Sequence, residues 1–277
     1  ANGVILVTTR QGSRDRLSLD YSFSYGWQSP CRTKDVLDAT EYAVLMNEMN
    51  MNSGMSPVYD DPKSFGRGTD WQKEVFNYNA PVIEHQASIS GGNDKLSYYL
   101  SFGYLYNEGI IGGNFNRSNY DRYSARANTT YTFFDHQERN WLRNFRGGVN
   151  MAYSRTTSMS IGENSERGSI LGSAVSMSPI MKVYADDPQV VLAAHPNAVT
   201  DSKGNVFAIA GDDFGNMVNP LASLSLPGDK SKADKLVGNV FGEIELYKGL
   251  KFKSSYGVEL IFSGNDGYQM PYWLGRY

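Results

Sequence analysis

Seven stretches of the chain alternate apolar and polar residues with a period of two, the side-chain repeat of a β-strand. Over 17–27, Leu17, Leu19, Tyr21, Phe23, Tyr25 and Trp27 share one face, opposite Ser18, Asp20, Ser22, Ser24 and Gly26. The dyad returns at 83–90, where Ile83, His85, Ala87 and Ile89 oppose Glu84, Gln86, Ser88 and Ser90. It continues at 96–106 (Leu96, Tyr98, Leu100, Phe102, Tyr104, Tyr106) and at 121–133. There Tyr123, Ala125, Ala127, Thr129, Tyr131 and Phe133 oppose Arg122, Ser124, Arg126, Asn128 and Thr130. Segments 145–154, 236–247 and 250–262 repeat the pattern, with Arg146, Glu243, Glu245, Lys251, Lys253 and Glu259 on their polar faces. The pattern predicts seven strands of roughly ten residues each.

The connections are alternately short and long. Gly91-Gly92-Asn93-Asp94 and Lys248-Gly249 are read as hairpin turns whose residues supply positive φ. The stretches 28–82 and 155–235 exceed what a compact soluble domain leaves without structure. Short turns at one rim and long loops at the other are the habit of a transmembrane barrel. A soluble sandwich also alternates. The loop rhythm favours the barrel, as do aromatics at strand ends such as Tyr25 with Trp27, Tyr104 with Tyr106, and Tyr131 with Phe133. One helix is predicted in the first long loop. Asp38-Ala39-Thr40-Glu41 has the form of a capping box, and Tyr42, Leu45, Met46 and Met49 form a face expected to pack against its own loop.

Composition narrows the field. The 277 residues carry 26 basic and 29 acidic side chains, a net charge of −3, which gives no electrostatic case for nucleic acid. Mean hydropathy is −0.44, and no run approaches the roughly 18 to 20 apolar residues of a spanning helix. A membrane barrel is untouched by that argument, because alternating strands average to low hydropathy. Nineteen Tyr and 28 Gly favour strands and tight turns. The single Cys31 excludes an internal disulfide. The chain starts without an initiator Met or a charged-then-apolar leader, and Ala1 to Arg10 reads as a strand entered midway. The expectation is a part of something longer.

Catalysis is not expected. His85, His136 and His195 have no Ser-Asp or Cys arrangement beside them, and no phosphate loop, zinc spacing or nucleophile elbow occurs. No cofactor is implied. The pairs Asp60-Asp61, Asp186-Asp187 and Asp212-Asp213 offer oxygens that a structural calcium could use. Against this, Asp201-Ser202-Lys203-Gly204-Asn205 has a lysine where an EF-hand loop needs an oxygen ligand. Binding has better support: Trp71 with its neighbour Asp70, Tyr59, Tyr78 and Trp273 are the candidate substrate-binding residues, in loops where aromatic faces can stack on sugars or cover peptide backbone. Tyr272 lies beside them. Anchoring the long loops to one another is the competing role for these side chains.

The same segments resemble the SusC/RagA-like TonB-dependent transporters of Gram-negative outer membranes. Ala1 to Arg10 resembles the end of that family's plug domain, and Gly68-Thr69-Asp70-Trp71-Gln72 its Gly-Thr-Asp-Trp segment in the first extracellular loop. His85 to Gly92 and Ser97 to Ile111 resemble the strands that follow. Ser178-Pro179-Ile180, Val183-Tyr184 and Asn219-Pro220-Leu221-Ala222 resemble landmarks of the large third loop. The chain departs most from the family at 185–215. The resemblance implies an all-β fold, with residues 1–15 ending a plug and 16–277 forming the first strands of a barrel of about 22 strands. An open sheet of seven strands would leave two edges unpaired in hydrocarbon, so the wall must continue beyond them. The resemblance also implies import of an oligosaccharide or peptide and a SusD-like surface lipoprotein as partner. Energy would come from TonB acting on an N-terminal region, and outer-membrane lipid and lipopolysaccharide would surround the barrel. A soluble β-rich glycan-binding module and a surface barrel without transport are the alternatives.

Overall fold

The computed structural model describes residues 16–113, 115–161, 169–211, 215, 217–267 and 271–272. The expected plug end at 1–15, Asp212-Asp213 and Trp273 lie outside the described residues. All seven expected strands are present: β1 Ser18–Gln28, β2 Ala80–Gly92, β3 Leu96–Glu108, β4 Asn119–Asp135, β5 Trp141–Met159, β6 Lys230–Tyr247 and β7 Leu250–Asp266. They pair in chain order into one antiparallel sheet.

The register explains the alternation. One row across the sheet reads Leu19, Ile89, Leu100, Ala127, Met151, Gly238 and Val258, each directly opposite the next. The adjacent row reads Asp20, Ser88, Ser101, Arg126, Ala152, Val237 and Glu259. A slip of one residue in any strand would exchange the two faces, so burial of the apolar face in lipid fixes every register. Toward the rim of long loops one row of the same face reads Phe23, His85, Tyr104, Tyr123, Arg155, Asp234 and Phe262. Tyr104 donates to Asp121 at 3.2 Å, and Tyr153 donates to Asp234. Tyrosine, with an apolar ring and a polar hydroxyl, is the residue type that collects where hydrocarbon gives way to headgroups. At the opposite rim Phe133 stacks on Phe145 at 4.8 Å and meets Tyr131 edge-on at 5.1 Å.

The strands are longer than expected, 11 to 19 residues rather than ten. Toward the rim of long loops the outward positions of β4, β5 and β6 become polar (Asp121, Arg155, Asp234), so hydrophobic periodicity stops while the backbone ladder continues. The first hairpin also differs. Gly91 and Gly92 lie within β2, and Asn93 closes the turn by accepting from the amides of Lys95 and Leu96, both at 2.9 Å. At the last hairpin Gly249 does have positive φ, +84°.

The long loops are structured. They hold α1 Ala39–Asn52, α2 Trp71–Val75, α3 Ile170–Ser176, α4 Pro188–Ala194 and α5 Pro220–Ser225. The capping box of α1 is present, with Glu41 N–H donating to Asp38 at 2.9 Å and Asp38 N–H to Glu41 at 3.0 Å. Its packed face is Ala39, Ala43 and Asn47. Leu45 and Met49, expected inside, are each 50% exposed. The small side chains let the chain at 66–67 approach closely, where Ala39 N–H donates to Arg67 at 3.1 Å. The other four helices were not expected, being too short to display a full apolar repeat.

Most of the tightly buried apolar residues lie in these loops and not in the sheet. Trp71, Val75, Ile170, Phe207, Met217, Leu221 and Leu224 belong to one cluster, with Ile111 and Phe115 packed against it. Three loops on one rim therefore share a core.

Candidate functional site

The site grows from a short run in the first long loop. Gly68 adopts φ +67°, and a Cβ there would lie 2.3 Å from the Pro179 carbonyl oxygen and 2.4 Å from Ala39 Cβ. Only glycine permits that approach. It allows Thr69 to donate its amide to Pro179 at 2.8 Å and its hydroxyl to the Met181 carbonyl at 2.7 Å. Two residues on, the Trp71 indole N–H donates to the Ser178 carbonyl at 3.0 Å. Between them, Asp70 caps α2 by accepting from Lys73 N–H at 3.0 Å. Gln72 exchanges two 2.8 Å hydrogen bonds with the backbone of Lys34.

This stapling leaves a cleft of about 640 Å³ between the first and third long loops. Its walls are residues 33–38, Arg67 to Lys73, Tyr42, Tyr78, and Ala174 to Met177 with Pro179 of the third loop. Lys34, Asp35, Arg67, Asp70 and Lys73 give it both signs of charge, and the two tyrosines give it aromatic edges. Such a lining suits a ligand rich in hydrogen-bonding groups with flat apolar faces. An apolar furrow of about 490 Å³ between Leu19, Ala87, Ile89, Leu100 and Phe102 lies on the opposite kind of surface, the outward face of the sheet.

Of the five candidate binding residues, Asp70, Trp71 and Tyr78 line this cleft. Trp71 is 3% exposed, so it meets the cleft only by an edge. Tyr78 is 40% exposed. Tyr59 lies apart, edge-on to Phe65 at 5.2 Å, with its backbone held by the Asn47 side chain at 2.7 and 2.9 Å. Trp273 lies outside the described residues. Tyr272 packs against the loop core.

A second keystone stands in the third loop. Asn219, 1% exposed, donates to the carbonyls of Val183 and Ala208, both at 3.0 Å. Its oxygen caps α5, accepting from Leu221 N–H at 3.1 Å. The Asn-Pro spelling could have revealed the cap, since proline is favoured at the first helical position. The two distant carbonyls could not be read from sequence. In the same loop, Asp201 accepts from the Asn205 side chain and backbone at 2.9 Å each and from Lys203 N–H at 2.8 Å. Hydrogen bonding, first from the Asn205 amide, holds its carboxyl down at about 2. Burial, then the bond to Asp201, pushes the Tyr184 phenol up.

Three members of the acidic pairs have local partners. Asp61 and Asp187 cap helices, and Asp186 pairs with Lys182 at 2.5 Å. Among the described residues no three His, Cys, Asp or Glu side chains converge as metal ligands. His85 is hydrogen-bonded to the Tyr21 hydroxyl at 2.8 Å and lies 4.8 Å from the Phe23 ring. His136 stacks on Phe134.

No family model matches the chain. Over 93% of its length it is 26% identical to TonB-dependent receptor P3 of Formosa agariphila, spanning 22% of that protein. Over its whole length it is 28% identical to TonB-dependent receptor SusC of Bacteroides thetaiotaomicron, spanning 26% of it. The chain thus spans about a quarter of the length of these curated relatives. In fold it is similar to the RagAB peptide importer in its "open-open" state, with TM-score 0.66 and 21% identity over 92% of this chain and 29% of that one.

Proposed function

We propose that the chain is part of a SusC/RagA-like TonB-dependent receptor, to whose members it is similar over nearly its whole length, and that it forms part of the wall and extracellular cap of an outer-membrane nutrient importer. The single observation that carries the reading is the two-faced sheet joined at one rim to a packed cap of long loops. A soluble glycan-binding module would have no use for the exposed apolar face that carries Leu19, Leu100, Met151 and Val258.

The cargo is an oligosaccharide or a peptide too large for simple pores. The cleft beside Asp70, Trp71 and Tyr78 is the contact we favour, with Trp71 acting mainly by holding the cleft's shape. A SusD-like lipoprotein covers the loops, and TonB supplies energy from the far side of the wall. Lipid and lipopolysaccharide surround the apolar face. No covalent chemistry is part of this reading. The likeness to receptors and importers supports it, as does the mixed-charge, aromatic-edged lining of the cleft.

The test is uptake of labelled oligosaccharide and peptide pools by cells carrying the full-length gene, with and without TonB. Import of one pool, lost on deletion of TonB, is expected. Undiminished import without TonB, or import of neither pool, contradicts the proposal.

A further inference from the structure

One wall of the cleft is a strap of chain. From Arg32 to Asp38 the backbone runs without helix or turn, and Thr33 to Asp38 all line the cleft. Its middle is gripped by the buried Gln72, whose carboxamide accepts from Lys34 N–H and donates to Lys34 C=O, both at 2.8 Å. A residue whose N–H and C=O both reach one planar amide is extended, with the two groups on the same side. Gln72 thus stands where the peptide group of a neighbouring strand would stand.

The other side of the strap is open. In an extended chain the residues before and after turn their N–H and C=O the opposite way, so those of Thr33 and Asp35 point away from Gln72. Among the described residues, no hydrogen bond reaches the backbone of Thr33, Asp35, Val36 or Leu37, and all four are exposed. A row of unpaired N–H and C=O groups on an extended edge is a template for another strand.

The rest of the lining suits a peptide better than a sugar. Trp71 is too deeply buried to offer a ring face for stacking, which leaves Tyr42 and Tyr78 as the aromatic groups. The charged side chains are Lys34, Arg67 and Lys73 against Asp35, Asp38 and Asp70, so the cleft selects no net charge. Val36 and Leu37 on the strap and Val175 across the cleft are exposed apolar surfaces on which side chains can rest.

We infer that the strap binds a peptide by its main chain, an extended segment of cargo pairing with residues 33–37 as an added strand. In this mode the main-chain hydrogen bonds supply affinity and the neighbouring apolar surfaces sort side chains. Gln72 acts as a positioning residue, holding the strap by one edge and leaving the other free. The inference rests on the proposal that this cleft receives the cargo, and it chooses peptide over oligosaccharide there.

The full-length protein in detergent is titrated with a fluorescent pool of mixed-sequence octapeptides, with the same pool N-methylated at every amide, and with an oligosaccharide pool. Hydrogen exchange of 32–38 is followed in each mixture. The octapeptides should bind and slow exchange within 33–37. The methylated pool, which keeps the side chains and loses the main-chain donors, should bind about tenfold more weakly or worse and protect nothing. D35P, which removes one N–H of the strap, should bind the octapeptides about fivefold more weakly than D35A, which keeps it. If D35P shows no heat-modifiable band, the methylated pool decides on the unmodified protein. Equal affinity for the two peptide pools, protection of 33–37 by oligosaccharide and not by peptide, or binding of neither overturns the inference. Uptake of the oligosaccharide pool alone, dependent on TonB, would sink this inference and leave the importer standing.

Discussion

The indole N–H of Trp71 donates to the carbonyl of Ser178 at 3.0 Å, across 107 residues of sequence, and so ties the first long loop to the third. With Gly68 and Thr69 bonded to or packed on Pro179, the Gly-Thr-Asp-Trp run and the Ser-Pro run form one joint. W71A removes a buried aromatic side chain and this bond, at a cost of about 3–5 kcal/mol to the packing of the cap. The sheet contributes nothing to that joint, so the full-length variant should retain its heat-modifiable band. Protease sensitivity of 169–226 should rise. W71F, which keeps most of the volume and loses only the donor, should fall between.

Asn219 fulfils three demands with one side chain. N219A leaves the Val183 and Ala208 carbonyls without their donor and α5 without its cap, each deficit worth about 1–3 kcal/mol. N219D restores the cap but not the donors. Hydrogen exchange of the segments around 183 and 208 should therefore be raised in both variants, and that of α5 in N219A alone.

Acid should loosen the turn at 201–205. The Asp201 carboxyl is held at about 2 by its hydrogen bonds, below the ordinary value near 4. A depressed carboxyl stabilises the folded turn fully above that ordinary value, and the contribution is lost as pH falls toward 2. Exchange of 199–207, corrected for intrinsic rates, should rise between pH 5 and pH 2. In D201N it should be raised already at pH 5 and change little with acid.

How much of this was written in the sequence depends on the environment of each element. Each strand residue faces lipid or the interior on its own account, so the alternation Leu19, Tyr21, Phe23 against Asp20, Ser22, Ser24 declares both strand and face without reference to any partner. Strand ends were underestimated for the same reason. Once Arg155 and Asp234 face headgroups, the period disappears while the ladder persists. The cap obeys a different logic. Phe207, Met217 and Leu224 are buried by one another across irregular backbone, and α2, with five residues, is too short for an apolar repeat. In α1 the period was real but its direction was not, because small Ala39 and Ala43 packed more closely than Leu45 and Met49 could. Of the site, the Gly68 to Trp71 run was visible as a motif. Its role as a joint needed the position of Pro179.

Adjacent positions on β5 should respond oppositely to charge. Met151 lies in the apolar row and Asn150 in the polar face beside it. M151R should cost about 2–4 kcal/mol if it lies near the bilayer midplane, seen as a reduced yield of the heat-modifiable form of the full-length protein. N150R, turned to the interior, should leave that yield close to that of the parent.

The most direct test of the account is a spin-label scan along β5, residues 145 to 154, of the full-length protein reconstituted in lipid. Accessibility to oxygen, which concentrates in the bilayer, and to a water-soluble nickel complex is read at each position. Labels at 145, 147, 149, 151 and 153 should be open to oxygen and closed to nickel, with 146, 148, 150, 152 and 154 out of phase. Uniform nickel accessibility, or any profile without a two-residue period, would contradict the claim that this sheet is a membrane-spanning wall.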